Sequence, residues 1–178
     1  QTPRLMALVF RPPQTKLQPF LLDLDFKTRF EVVLDMEMCA GYARVIASKL
    51  QDDLQRAITY IIVAKSSGYW CTLKKSNARL YKSGFHIYYI NTRIDLNAAK
   101  KLRIFCVKHV KTHFESINYI NSDDDVVDSR IPHRENGLMA ISDFKRGGTG
   151  GRYCIKVAAS LVNGRFTEDF LSEKRFLK

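Results

Sequence analysis

The segment Phe20-Leu21-Leu22-Asp23-Leu24-Asp25-Phe26 constrains the chain more than any other. It is an apolar run of strand length with two acids set in its middle. Strand period two places Asp23 and Asp25 on one face and Leu22, Leu24 and Phe26 on the other. One face must therefore meet a core, while the other meets something that tolerates two carboxylates side by side. Such a pair repels itself unless a cation sits between, and oxygen ligands suit hard Mg²⁺ or Mn²⁺. The alternative is a half-exposed edge strand whose alternate residues are merely solvated.

Length and charge narrow what surrounds this strand. The 178 residues, 46% of them hydrophobic, suffice for one compact α/β or α+β domain spanning 1–178 without disulfides or a structural metal. Cys39, Cys71, Cys106 and Cys154 are far apart with no C-x-x-C pair, which points to reduced thiols in cytoplasm or nucleus. Twenty-nine Lys and Arg against eighteen Asp and Glu leave a formal net charge of +11, and so large an excess implies a polyanionic partner. A membrane is disfavoured as that partner, because no apolar run approaches the ~20 residues of a spanning helix. The first residue is Gln rather than Met, which suggests a fragment of a longer protein.

Periodicity organises the rest. Leu5 to Phe10 reads as a short strand, and Asp35 to Lys65 as one or two helices on the spacing of Met38, Tyr42, Val45, Ile46 and Leu50. Tyr69 to Leu73 reads as a strand entering a basic loop, Lys74 to Lys82, before the β-prone Phe85 to Ile90. Leu96 to Phe114 is an amphipathic helix with a basic outer face. Val126-Val127-Asp128 looks like a strand end bearing an acid. Asn136-Gly137 suits a type I′ turn before Leu138 to Ile141, and Tyr153 to Leu161 pairs with Phe166 through a turn at Asn163-Gly164.

Other segments carry chemistry with less definition. In Lys82-Ser83-Gly84-Phe85-His86 the glycine permits close backbone approach, while Ser and His can donate to phosphate oxygens. The competing reading of His86 is a satisfied core histidine. Asp128 follows two β-branched residues and precedes Ile141-Ser142-Asp143-Phe144-Lys145; Asp123 to Asp125 are alternative acids, more simply a solvated run. Cys106, His109 and His113 share a helix face and could bind zinc with a fourth ligand, against the plainer reading of a buried thiol and two imidazoles. Gly147 to Gly151 lacks the Gly-Lys-Ser/Thr of a phosphate-binding loop. Trp70, Tyr88 and Tyr89 could stack on bases, although aromatics in strands more often pack in cores.

Taken in order, Asp23-Leu24-Asp25, Ser83-Gly84-Phe85-His86 and Asp128 with Lys145 resemble the three motifs of the archaeo-eukaryotic primase superfamily. The likeness is nearest to the primase domains of viral primase-helicases from large double-stranded DNA viruses, and covers Phe20 to Lys145. It implies an α+β fold: an RNA-recognition-motif-like antiparallel sheet with helices, fused to a smaller α/β unit, with the active site in the groove between them. It further implies that Asp23, Asp25 and Asp128 ligate Mg²⁺ or Mn²⁺ in a two-metal site, while Ser83, His86 and Lys145 hold a nucleoside triphosphate. Two departures accompany it. Met139 and Ser142 stand where some relatives have Arg and Gly, and no second Arg accompanies Ser83 to His86, so Arg79 or Lys82 must supply that charge.

The implied reaction is primer synthesis on single-stranded DNA, with a helicase outside this chain. Lys74, Lys75, Arg79, Lys100, Lys101 and Arg103 are candidate template contacts. A noncatalytic basic nucleic-acid-binding module and a metal-dependent nuclease are the competing functions.

Overall fold

The computed structural model describes residues 9–10, 17–65, 67–72, 77–128, 138–139 and 153–171. Its strands are β1 (Val9–Phe10), β2 (Gln18–Thr28), β3 (Ile58–Lys65), β4 (Tyr69–Thr72), β5 (Arg79–Ile94), β6 (Leu138–Met139), β7 (Tyr153–Val162) and β8 (Arg165–Phe170). Helices α1 (Met36–Leu54), α2 (Leu96–Phe114), a 3-10 turn over Glu115–Ile117 and the one-turn α3 (Asp123–Val126) complete the described elements. Six strands form an antiparallel sheet in the order β2-β5-β3-β7-β8, with β4 paired to β5 beyond the end of β3. The α+β expectation holds. A separate two-stranded pairing joins β1 with β6, Val9 opposite Met139 and Phe10 opposite Leu138.

The core lies between the sheet and the two long helices. Leu22, Leu24 and Phe26 of β2, Phe85, Ile87 and Tyr89 of β5, and Tyr60 and Ile62 of β3 are buried against Tyr42, Ala43, Ile46, Ala47 and Leu50 of α1 and Leu102, Cys106, Val110 and Phe114 of α2. Phe114 sits among Phe26, Phe85 and Tyr42, with ring centroids 4.9, 5.8 and 5.2 Å away. Aromatic pairs at these separations add to what area burial alone contributes. The buried phenols are satisfied: Tyr42 donates to the Cys106 carbonyl at 3.0 Å and Tyr89 to the Ala43 carbonyl at 3.1 Å. Each long helix starts on an aspartate cap, Asp35 accepting from the Glu37 amide and Asp95 from the Ala98 amide.

Three expectations need correction. Ile58 to Lys65 is a strand, not the end of a helical stretch: β3 is central, with Ile58, Tyr60, Ile62 and Ala64 buried on one face and Ile61 and Val63 supplying apolar side chains on the other, so its β-branched residues, not its period, identify it. Arg79 to Lys82 belongs to the 16-residue β5 and not to a loop. Val126 closes the one-turn helix α3, and Val127 alone bridges a strand, pairing with Leu24. By contrast, α2 spans Leu96 to Phe114 as read from the sequence, and the β7–β8 turn falls at Asn163 and Gly164, whose φ values of 49° and 75° fit a type I′ turn.

Candidate active site

β2 is the edge strand of the sheet: β5 pairs with it along one side, and single main-chain hydrogen bonds from Ile120 and Asp128 meet its other side. Pleat alternation works there as its sequence demands: Leu22, Leu24 and Phe26 are buried, while Asp23 and Asp25 share the face turned away from the helices. Across the ladder Asp23 pairs with His86 and Asp25 with Gly84, so β5 lays its Lys82, Gly84 and His86 on the acid face. Lys82 Nζ stands 2.7 Å from Asp25 Oδ2, and His86 Nε2 stands 3.4 Å from Asp23 Oδ1. Each acid of β2 thus has one basic neighbour on β5.

Gly84 is required by this approach. A Cβ there would run into the Leu24 carbonyl oxygen and stand 3.1 Å from Asp25 Oδ1. Gly68 is constrained alike, since a Cβ would lie 2.5 Å from the Lys82 carbonyl oxygen and 2.5 Å from the Tyr81 ring.

A cavity of about 270 Å³ opens over this face. Asp23, Asp25, Lys82, Ser83, Gly84 and His86 line it, joined by Lys65 and Tyr69, by Tyr153 and Lys156 from β7, and by an apolar wall of Val32, Leu34 and Met36. Between Lys65 at the end of β3 and Tyr69 at the start of β4 the sheet is interrupted opposite Ser83 and Gly84. The interruption accounts for a cavity lined from both faces of the sheet. Tyr153 stacks on His86 at 4.6 Å with 24° between the rings, and Lys65 Nζ lies 5.1 Å from the Tyr153 and Tyr69 rings.

Burial, the Asp23 carboxylate beside it, and only partial compensation by Lys82 and His86 hold the Asp25 carboxyl above its ordinary value. Burial pulls the Lys82 ammonium down, but Asp25 more than restores it, and its net shift is upward. Burial and the nearby acids push the Tyr88 and Tyr153 phenols up, so both remain neutral donors.

The outer edge of β2 receives Asp128. The Asp128 amide donates to the Asp23 carbonyl at 3.0 Å, next to the Leu24–Val127 bridge. Val127 and Leu24 are both buried, and the hydrogen bond brings the Asp128 backbone beside that of Asp23, while Asp128 is not among the residues lining the cavity. Arg103 holds this turn: its guanidinium donates to the Val127 carbonyl at 2.7 Å and to Asp124 Oδ1 at 2.9 Å. Arg103, one of the candidate template contacts, is thus engaged in holding this turn. Among the described residues no three His, Cys, Asp or Glu side chains form a cluster that could hold a metal as they stand. Asp23 and Asp25 nevertheless fit a divalent cation by donor chemistry, being two oxygen donors pressed together with one carboxyl resisting ionisation.

Strand parity separates the other expected residues. Ser83 pairs with Phe26 and shares the helix-facing side with Phe85; its Oγ is buried without a partner among the described residues, and it reaches the cavity from behind. Arg79 has the same parity as Ser83 and lies over the Trp70 ring at 5.1 Å, while Trp70 donates to Glu31. Of the two cations weighed for the phosphate grip, Lys82 is therefore the one beside the acids. Lys145, Lys74, Lys75 and the loop from Gly147 to Gly151 lie outside the described residues. Lys100 and Lys101 are exposed on α2. Tyr89 is core, and Tyr88 shares the His86 face.

Cys106 is fully buried, and His113 Nδ1 meets the His109 carbonyl at 2.9 Å, an arrangement of helix packing and not of ligation. Sequence reading missed Lys65, Tyr69, Tyr153 and Lys156. Lys156 is the extra residue of a bulge where Val63 pairs with Ile155 and Ile62 with Val157. No helix among the described residues is long and apolar enough to cross a membrane.

No curated protein matches the chain. The family model for the C962R protein N-terminal AEP domain matches residues 6–156, from before β1 into β7. That span contains Asp23 and Asp25, the basic segment of β5, and Asp128. The chain belongs to this family, the archaeo-eukaryotic primase domains of one type of viral primase-helicase.

Proposed function

We propose that the domain performs template-directed, metal-dependent nucleotidyl transfer, as a DNA primase or primase-polymerase making primers on single-stranded DNA. One observation carries the reading: the carboxylates of Asp23 and Asp25 face the basic side of β5, Lys82 to His86, across one cavity. Asp23, Asp25 and Asp128 are the residues that would hold Mg²⁺ or Mn²⁺. Held there, such ions would supply Lewis acidity, lowering the pKa of a 3′-hydroxyl and offsetting the charge of a pyrophosphate leaving group.

The chain's own residues do the rest. His86 and Lys82 present donors on the side of the acids where a triphosphate lies, and Lys65 and Lys156 add positive charge to the same cavity. Tyr153 fixes the plane of His86 by stacking. Lys145 is proposed as a further phosphate contact from its motif position, and Ser83 as a hydroxyl donor reaching the cavity through the interruption in the sheet. Lys100 and Lys101 suit the backbone of a single-stranded template. A helicase in the same assembly is part of the proposal.

The test is incubation with a single-stranded template, labelled nucleotides and Mn²⁺. New products that disappear in Asp23→Asn, Asp25→Asn and Asp128→Asn, each folded by circular dichroism, support the reading. Shortened input would make the domain a nuclease; salt-sensitive binding without any product would make it a binding module.

A further inference from the structure

Lys82 does more at this site than add to its charge. Its ammonium is 2.7 Å from Asp25 Oδ2, and both side chains are largely shielded, 22% and 31% exposed. The contact is built in by register. Lys82 lies two residues before Gly84, the partner of Asp25, so its stem runs along the acid face; Gly84 offers no side chain to keep the two apart. An ammonium is a compact point charge with no geometric demand beyond donation, and it rides on a flexible four-carbon stem. It can therefore occupy the position on a carboxylate that an oxygen-liganded cation would take.

We propose that Lys82 is an intramolecular place-holder on Asp25, which a divalent cation must displace and which a nucleoside triphosphate draws away. This rests on the proposed reading of Asp23 and Asp25 as cation ligands. The physical argument has two steps. Two positive centres on one carboxylate repel strongly in a shielded site, so a cation arriving alone meets Lys82 in its place. A triphosphate offers the same ammonium a richer set of anionic oxygens within reach of its stem, which frees Asp25. Cation and nucleotide then bind as a coupled pair, each tightening the other by the same factor. A domain working this way keeps its acids apart from free divalent ions until substrate is present.

The test uses the whole chain and reads binding. Free Mn²⁺ is followed by electron paramagnetic resonance, with and without a non-hydrolysable nucleoside triphosphate, for wild type, Lys82→Gln, Lys65→Gln and Asp25→Asn. Thermal melts confirm that each variant is folded. Lys65 is the charge control, since it lines the same cavity.

The expected result is that Lys82→Gln binds Mn²⁺ about tenfold tighter than wild type without nucleotide, a difference of about 1.4 kcal/mol. Lys65→Gln, which removes a cavity charge that is not among those acting on Asp25, should change affinity by less than about threefold. The nucleotide should tighten Mn²⁺ on wild type by a larger factor than on Lys82→Gln. Equal or weaker nucleotide-free binding by Lys82→Gln, or an equal gain in Lys65→Gln, overturns the place-holder. Asp25→Asn separates this from the parent reading. Mn²⁺ binding lost in Asp25→Asn with no gain in Lys82→Gln sinks the place-holder alone, whereas wild-type binding in Asp25→Asn sinks the ligand assignment and the place-holder with it.

Discussion

Replacing Gly84 by alanine tests how the acid strand and the basic strand are held together. The added Cβ would collide with the Leu24 carbonyl oxygen and reach 3.1 Å from Asp25 Oδ1 and 3.2 Å from the Leu24 carbonyl carbon. Carbon–oxygen contacts between strands normally settle at about 3.3–3.6 Å. The β2 backbone must therefore move by about 1 Å where Asp25 leaves it. Overpacking of this kind costs about 1–3 kcal/mol, and each of the two ladder bonds nearest the clash is worth about 0.5–1.5 kcal/mol. A total near 3 kcal/mol corresponds to a fall in Tm of about 6–12 °C for a chain of this length. The chemistry should suffer more than the fold, because a displacement of about 1 Å at a reacting centre can cost about a hundredfold in rate. Differential scanning calorimetry beside a primer-synthesis assay reads both. A Tm within about 1 °C of wild type, with synthesis intact, would refute the close approach of β2 to β5.

Four further outcomes follow from the same geometry. Gly68→Ala should also lower Tm, since its Cβ meets the Lys82 carbonyl and the Tyr81 ring; a calorimetric scan checks it. His86→Ala should weaken nucleotide use, read as a raised KM, with the fold retained by circular dichroism, because the ring faces Asp23 at the cavity while the hydrophobic core lies on the other side of the sheet. Arg103→Met should reduce primer synthesis about tenfold or more without changing the salt slope of single-stranded DNA binding, since its guanidinium holds the Val127 carbonyl; a reduced slope would return it to the template.

The fourth concerns pH. The folded Asp25 carboxyl lies above its unfolded value of 3.8, so the folded state holds that proton more tightly. Its contribution to stability is full below 3.8 and is lost as pH rises through the folded value. Relative to Asp25→Asn, the wild-type Tm should fall as pH rises across that window, and parallel Tm profiles would contradict the shift.

The face carrying the acids was legible because period two needs only neighbours in sequence: Leu22, Leu24 and Phe26 declare the buried side, and Asp23 and Asp25 the other. The span of α2 was legible for a similar reason, with Asp95 capping and Phe114 ending the apolar stripe. β3 misled because apolar residues occupy both of its faces, Ile61 and Val63 opposite Ile58, Tyr60 and Ile62, so its sequence carries no alternation to read. Parity sorts the candidates of β5: counting back from Phe85 puts Ser83 and Arg79 on the helix-facing side and leaves Lys82, Gly84 and His86 with the acids. Lys65, Tyr69, Tyr153 and Lys156 carry no local signal, for they reach the cavity only through the register of β3 with β7, the placement of β4 beside β5, and a bulge. Arg103 offered a positive charge and nothing to say that it would be spent on a carbonyl.

The alternation of Lys82, Gly84 and His86 opposite Asp25 and Asp23 makes the site a gauge engraved on two adjacent strands. Its graduations are residue pairs, about 6.6–6.8 Å apart along each strand, and they are locked by main-chain bonding, free of any loop. Drift in α1 or α2 can soften or stiffen the molecule while leaving those graduations where they are. A single inserted residue between Lys82 and His86, by contrast, would turn one end of the scale to the far side of the sheet.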